Sequence, residues 1–330
     1  VDLELPRFPL ATLPTPLVRA RRLEAWLGPS CPPILVKRDD LAGFAVAGHK
    51  ARQLEFLVGA ARAERCDVIV TGGGPSSNWA SAAAVAAAVA GLDCALVSFG
   101  DRPERTHPSL AAALVTGAHV QFTGDPDRDH LDAALLARAD DLRRAGRRPF
   151  AIPRGGATPL GAVGMVLAAG ELAAQLDASG LEPSAVVVAT GSGGACAGVA
   201  VDAAAHRRPW RVVGASVSRP LDRATAQVTS LGRDCAALLG ADAPDGRHVE
   251  LVDARGPGFG APSADGEAAL RTALRTEGLV LDPVYTAKAF AVLLRMVDAG
   301  AAGPLVFWHT GGVFAAAAHL ARTADVGSAA

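Results

Sequence analysis

Val186-Val-Val-Ala-Thr-Gly-Ser-Gly-Gly-Ala-Cys-Ala-Gly198 is the stretch that decides the fold class. A continuous β-branched run, a glycine-rich turn and an alanine-rich segment read as a buried strand that feeds a turn and then a helix. Backbone N–H groups at such a helix start point outward and favour a phosphate. Outward from this stretch the same alternation repeats. Residues 34–37, 68–71, 94–99, 119–122, 186–190, 212–217, 249–252 and 305–309 read as strands, most of them flanked by Ala/Leu-rich helical segments. That order predicts an α/β protein with parallel-rich sheets and crossover helices.

Two more glycine-rich turns stand at strand ends, Gly72-Gly-Gly-Pro-Ser-Ser-Asn78 and Thr310-Gly-Gly312, where open α/β sheets place their ligands. A fourth, Arg154-Gly-Gly-Ala-Thr-Pro159, precedes a helical stretch over 160–176 and reads as an interdomain hinge. A dinucleotide site demands an acidic residue at the end of the strand after the turn. Here that strand ends in Ser218-Arg219, which disfavours a nicotinamide cofactor while leaving a 2′-phosphate form open through Arg219. A cofactor with a single phosphate fits more simply.

Composition narrows the function classes. The length of 330 residues allows two domains or one large α/β unit. A formal net charge of −1 without runs of like charge gives no footprint for nucleic acid or an anionic membrane, so small polar metabolites are the expected partners. The five cysteines are widely spaced and form no C-x-x-C, so neither a disulfide framework nor a metal site is expected. The alanine-rich segment 82–90 is too short for a membrane span, and the N-terminal region around Glu4, Pro6 and Pro9 lacks a charged-then-apolar leader. A cytoplasmic protein is expected. The absence of G-x-S-x-G, H-E-x-x-H and a P-loop lysine leaves hydrolase and kinase readings without support.

Only three lysines occur, Lys37, Lys50 and Lys288, so amine chemistry has few places to reside. Lys50 follows the turn Gly43-Phe-Ala-Val-Ala-Gly-His49 and opens an amphipathic stretch with Leu54, Leu57 and Ala61 on one side. It reads as a residue at a helix start near a cleft, or as a solvated first-turn lysine. Ser76, Ser77 and Asn78 suit a helix cap, and equally a carboxylate or phenolate ligand. Tyr285 is the only tyrosine in the chain.

Ten segments, in order, resemble the 1-aminocyclopropane-1-carboxylate deaminase and D-cysteine desulfhydrase family of fold-type II pyridoxal-phosphate enzymes, the tryptophan-synthase-β-like group. They are Leu13-Pro-Thr-Pro-Leu17, Val36-Lys-Arg-Asp-Asp-Leu41, Gly48-His-Lys50 with Arg52, Ser77-Asn78, Gly155-Gly156 with Pro159-Leu-Gly161, Gly191-Ser-Gly-Gly194, Pro262-Ser263, Arg275-Thr-Glu-Gly278, Asp282-Pro-Val-Tyr-Thr286 and His309-Thr-Gly-Gly312. The resemblance implies a two-domain homodimeric enzyme with pyridoxal 5′-phosphate in a cleft. Its large domain would comprise residues 1–50 and 158–330, and its small domain residues 51–157.

By the same resemblance Lys50 holds the cofactor as an imine and Asn78 meets its phenolic oxygen. Gly191, Ser192, Gly193, Gly194 and Ala195 hold its phosphate, Thr286 stands beside the ring nitrogen, and Thr310 lies in the last cofactor turn. Ser77, with Ser76 and the adjacent amides, receives the substrate carboxylate, and Tyr285 faces the substrate as acid, base or nucleophile. Family members that open the cyclopropane ring have Glu where this chain has Thr286. A neutral hydroxyl makes a weaker electron sink, which suits loss of a β-leaving group. The implied reaction is α,β-elimination on a small β-substituted amino acid, giving a 2-oxo acid and ammonia. The alternatives are β-replacement, a deaminase-like ring opening, and a cofactor-binding protein without turnover.

Around the site the chain departs from the family pattern. His49 stands for Asn, Gln53 for Lys, Ser76 for Gln, Trp79 for a polar residue, Ser81 for Arg, Phe259 for Tyr and Ala195 for a hydroxyl residue. Trp79 and Phe259 are expected in the substrate shell, Trp79 with an apolar face and one N–H donor. Together these changes suggest a bulkier or less polar substrate than D-cysteine.

Overall fold

Ten strands form two separate sheets in the computed structural model, which describes residues 4–323. In chain order they are β1 (Leu17–Arg19), β2 (Ile34–Arg38), β3 (Val68–Gly73), β4 (Asp93–Ser98), β5 (His119–Phe122), β6 (Pro149–Ala151), β7 (Ala185–Thr190), β8 (Arg211–Ser216), β9 (Val249–Asp253) and β10 (Leu305–His309). The first sheet runs β1-β2-β10-β7-β8-β9, parallel throughout except for the antiparallel β1–β2 pair. The second runs β5-β4-β3-β6 and is wholly parallel. The eight strands expected from the sequence all form. Strands β1 and β6, of three residues each, were not anticipated, being too short to show a period.

The central strands are apolar on both faces because both faces are covered. In β7, Ala185, Val187 and Ala189 enter the core under helices Ala264–Glu277 and Thr286–Asp298. Val186 and Val188 enter the opposite core with Trp308, Trp210 and helices Pro159–Ser179 and Gly194–Ala205. The second sheet is covered by helix Asn78–Val89 on one face and helix Leu131–Arg144 on the other.

Helix Pro159–Ser179 is delimited by local chemistry. The Thr158 side chain accepts from the Gly161 N–H at 2.9 Å, Pro159 takes the first helical position, and Gly180 ends the helix in the left-handed region. By length and composition alone it could cross a membrane, yet it is a core helix wedged between helices Lys50–Ala63 and Gly194–Ala205. Glycine permits that approach. A Cβ at Gly164 would lie 2.1 Å from the Arg52 carbonyl oxygen, and one at Gly198 would lie 2.4 Å from that of Ala162.

A buried ion network ties β2 to two of these helices. Arg52 pairs with Asp39 at 2.8 Å and with Glu171 at 2.9 Å. Glu171 also pairs with Lys37, whose amine donates to the Thr15 carbonyl and to Gln175 Oε1. Asp39 further accepts from Thr15 Oγ1 and from the indole N–H of Trp308. Burial would raise the Asp39 carboxyl, but the Arg52 charge and these donors hold it below the usual range.

The strand orders place a crevice. In the first sheet the order reverses between β7 and β10, and in the second between β3 and β6. Ligands gather outside the carboxyl ends of strands at such reversals. The turns after β3, β6, β7, β8 and β10 all contribute to one cleft.

Candidate active site

The cleft opens beyond the carboxyl ends of the strands of both sheets and is lined by glycine turns, aromatic rings and a few polar and charged side chains, as small-molecule sites are. Lys50 lines it from the first position of helix Lys50–Ala63. Its amine donates to Gln53 Oε1 at 3.2 Å and to the Gly155 carbonyl at 3.4 Å, and lies 5.7 Å from the Trp79 ring centre. No carboxylate pairs with it among the described residues, and burial lowers its pKa from 10.5 to about 8. It is a partly buried amine, open to the cleft, that gives up its proton nearer neutrality than a free lysine does. The solvated first-turn alternative is set aside.

The other two lysines have structural roles. Lys37 belongs to the ion network. Lys288 donates to the carbonyls of Arg255 at 2.7 Å and Gly258 at 3.1 Å, which fixes the loop that carries Phe259.

Opposite Lys50 lies the 191–195 turn. Gly191, Ser192, Gly193 and Ala195 line the cleft, and helix Gly194–Ala205 starts there. A Cβ on Gly191 would meet the Tyr285 ring at 2.9 Å, and one on Gly194 would meet Gln53 Nε2 at 2.9 Å. That Nε2 is buried and has no hydrogen-bond partner. A helix N-terminus facing an unpartnered amide donor is a place for an anion.

The 76–79 turn forms the next wall. Ser76, Ser77, Asn78 and Trp79 all line the cleft. Ser77 is also the N-cap, accepting from the Ala80 N–H at 3.2 Å, and Asn78 Oδ1 accepts from Ser109 Oγ at 3.4 Å. Trp79 departs from expectation. Its ring packs in the core of the second sheet with its edge at Gly156, and its N–H donates to Thr71 Oγ1 at 2.8 Å, so that donor is not open to a substrate.

The third wall carries Tyr285, Phe259, Asp282 and Thr310. Phe259 meets Tyr285 edge-on with ring centres 6.1 Å apart. Burial, then the nearby Asp282, raises the Tyr285 hydroxyl to about 12, so it stays protonated at neutral pH. The Thr310 carbonyl accepts from the His49 N–H at 3.1 Å and pairs with His49 Nδ1 at 2.9 Å. Burial and the neighbouring Lys50 depress the His49 ring to about 3, leaving it neutral.

Thr286 does not reach the cleft. It is fully buried, and its hydroxyl donates to Asp282 Oδ2 at 2.7 Å while accepting from the Asp282 N–H at 2.7 Å. Asp282 is the residue that lines the cleft there. Burial raises its carboxyl pKa against four hydrogen-bond donors, the N–H groups of Val284, Tyr285 and Thr286 and the Thr286 hydroxyl. Nothing local in the sequence marks Asp282 as a lining residue beyond its place in the 282–286 motif.

Arg128 and Arg154 likewise go unmarked in the sequence as site residues, and Arg219 is read there only as a possible 2′-phosphate contact. Arg128, Arg154 and Arg219 line the cleft, so the pocket is more cationic, not less polar, than expected. Each stands on a different connection, after β5, after β6 and after β8, and no local pattern unites them.

Residues 9–311 match the family model described as pyridoxal-phosphate dependent enzyme. The chain is 34% identical over 317 residues to a Pyrococcus abyssi protein provisionally named 1-aminocyclopropane-1-carboxylate deaminase, covering 95% of this chain and 94% of that one. It is 35% identical to a Yersinia pestis D-cysteine desulfhydrase, covering 94% of each. A crystal structure described as an ACC deaminase homologue superposes with a TM-score of 0.87 at 33% identity, over 94% of this chain and 93% of that one. A crystal structure of a T.th. threonine deaminase, at 24% identity and a TM-score of 0.66 over 90% and 92% of the two chains, shares the fold.

Proposed function

This chain belongs to the pyridoxal-phosphate dependent enzyme family, and we propose that it is a lyase acting on a small β-substituted amino acid, releasing a 2-oxo acid and ammonia. The observation that carries the reading is Lys50, the one lysine in the cleft, with its amine lowered to about 8 and lining the same cleft as the glycine turn and Tyr285. The residues present fit the cofactor. The Gly191–Gly194 backbone and the unpartnered Gln53 Nε2 would hold its phosphate, Asn78 its phenolic oxygen, and Lys50 its aldehyde carbon.

Pyridoxal phosphate supplies an electron sink for the pair left at Cα when a proton is removed. The protein residues do the rest. The Lys50 amine, depressed toward neutrality, takes the Cα proton. Ser77 and the N–H groups of its turn orient the substrate carboxylate. Tyr285, protonated, hands a proton to the departing β-group. Phe259, edge-on to Tyr285, walls that side of the cleft. The Cβ–X bond breaks with its electron pair on X, and the released enamine takes up one water to give the 2-oxo acid and ammonia.

A homodimeric cytoplasmic enzyme remains part of the proposal, as does a division into residues 51–157 and residues 1–50 with 158–330. The test is 2-oxo acid and ammonia release from β-chloroalanine, in both enantiomers, by the cofactor-loaded protein. Lys50→Ala should abolish both the release and the yellow colour. A protein that retains a borohydride-reducible lysine adduct after Lys50→Ala would place the cofactor on Lys37 or Lys288 instead, and product that appears only with an added thiol nucleophile would mean β-replacement.

A further inference from the structure

Four cationic side chains line the cleft, Lys50, Arg128, Arg154 and Arg219, against one carboxylate, Asp282. Lys50 and the glycine turn are absorbed by the cofactor reading. The arginines are not. Arg128 stacks on Phe259 with its guanidinium 4.2 Å from the ring centre, and Phe259 in turn abuts Tyr285. Arg154 donates to the Arg128 carbonyl at 2.6 Å and pairs with Asp129 at 3.3 Å. Arg219 donates to the Gly191 carbonyl, which Ser218 Oγ also reaches at 3.0 Å.

Arg128 and Arg219 form no ion pair among the described residues. Each gives one terminal nitrogen to a backbone carbonyl, Arg128 to Ser218 at 2.6 Å and Arg219 to Gly191, and has further N–H groups left over. Partial burial, then the neighbouring Arg154, holds both guanidiniums below the usual arginine range. Asp127, Asp129 and Asp132 lie near enough to offset part of this shift, but none forms an ion pair with Arg128 or Arg219, so the remaining N–H groups of the two guanidiniums stay open to an anion in the cleft. All three also bear on the Tyr285 hydroxyl, opposing the upward shift that its burial imposes.

Resting on the lyase reading above, we infer that the substrate is an amino acid whose β-substituent is itself a tetrahedral oxyanion, a sulfonate, sulfate ester or phosphate ester, and that Arg128 and Arg219 bind it beside Tyr285. Such a group uses the planar, multi-donor geometry of guanidinium. It also leaves with the electron pair of the Cβ–X bond, and adjacent positive charge stabilises it most as that bond breaks. For the phosphate ester the balance is O-phosphoserine plus water giving pyruvate, ammonia and phosphate, with no oxidant or reductant.

The experiment compares kcat/KM of the cofactor-loaded enzyme for O-phosphoserine, serine O-sulfate, cysteate and β-chloroalanine, each in both enantiomers. It then repeats the set with Arg128→Gln, Arg219→Gln and Arg128→Lys, and measures bound cofactor by absorbance after desalting. At least one anionic substrate should exceed β-chloroalanine by tenfold or more, which also identifies the oxyanion. That ratio should fall 10- to 100-fold in both Gln variants and recover in part in Arg128→Lys. If β-chloroalanine is turned over but the anionic substrates gain nothing, the inference is overturned and the lyase reading stands. If no substrate releases a 2-oxo acid although the cofactor is bound, the lyase reading itself fails. Loss of cofactor in the Gln variants with an unmoved ratio would assign the arginines to the cofactor phosphate and overturn the inference.

Discussion

Gln53 stands one helical turn from Lys50, accepts a hydrogen bond from its amine at 3.2 Å, and turns its own unpartnered Nε2 toward Gly194. One amide thus touches both the amine and the anion cradle. Gln53→Leu removes the acceptor and the donor together. A hydrogen bond to a charged group contributes about 1.5 kcal/mol, or roughly tenfold in affinity. The Kd for pyridoxal phosphate, measured by fluorescence titration of the apoprotein, should rise by about that factor, and an unchanged Kd would show that Gln53 does not face the phosphate.

The sign of the Lys50 shift sets a pH dependence. Burial lowers its pKa from 10.5 to about 8, so the unfolded chain holds this proton more firmly than the folded one. Below pH 8 the burial penalty is felt in full. Stability from this group rises with pH between about 8 and 10.5, and above that the penalty is gone. The free amine should therefore dominate from about pH 8 upward. Acetylation of Lys50 in the apoprotein, followed by peptide mass spectrometry, should accelerate with a midpoint near pH 8, and a midpoint near 10.5 would contradict the buried placement.

Strand periods, glycine turns and the rarity of lysine made the sheets and the central amine legible from local sequence. The run at 186–190 has two apolar faces because both faces of β7 are covered, and Lys50 falls where the reading put it, at a helix start beside a cleft. What stayed hidden depends on contacts between distant segments. Arg52 looked like one more motif residue, but its role comes from Asp39 and Glu171, 13 and 119 positions away. The direction of Trp79 is set by Thr71 and Gly156, and the arginine cluster joins residues 128, 154 and 219 through tertiary packing alone.

Arg52 should be the most costly charge to remove. It is almost wholly buried and meets two carboxylates, so Arg52→Met leaves Asp39 and Glu171 short of their cation. Breaking a buried pair in this way costs about 3–5 kcal/mol. Urea unfolding should show a loss of that order, whereas a loss below about 1 kcal/mol would mean that the network relaxes around the vacancy.

Trp79 and Phe259 now separate. Trp79→His empties part of a core and unpairs the Thr71 hydroxyl, with an expected cost of about 3 kcal/mol. Phe259, on an exposed loop, should accept Tyr with little change in stability. Any gain in kcat/KM on D-cysteine, relative to the native substrate, should then come from Phe259→Tyr alone. A double variant as stable as the parent, with the gain traced to Trp79→His, would contradict this division.

The last prediction concerns the choice between β-elimination and ring opening. In sequence Thr286 reads as a neutral group at the cofactor ring, but it is buried behind Asp282 and hydrogen-bonds to its carboxylate. Burial raises the Asp282 carboxyl pKa, and four hydrogen-bond donors already engage its oxygens, so it is a weaker partner for a cationic ring nitrogen than a free carboxylate. A weaker partner favours fast expulsion of a β-group over the longer-lived carbanion that ring opening requires. β-Chloroalanine should therefore be turned over at least tenfold faster than 1-aminocyclopropane-1-carboxylate. Thr286→Val removes a donor from Asp282 Oδ2, which should raise the carboxyl pKa further and shift the acid limb of the pH–kcat profile upward. Comparable turnover of the cyclopropane amino acid would show that Asp282 supports the ring nitrogen, and would favour the deaminase reading.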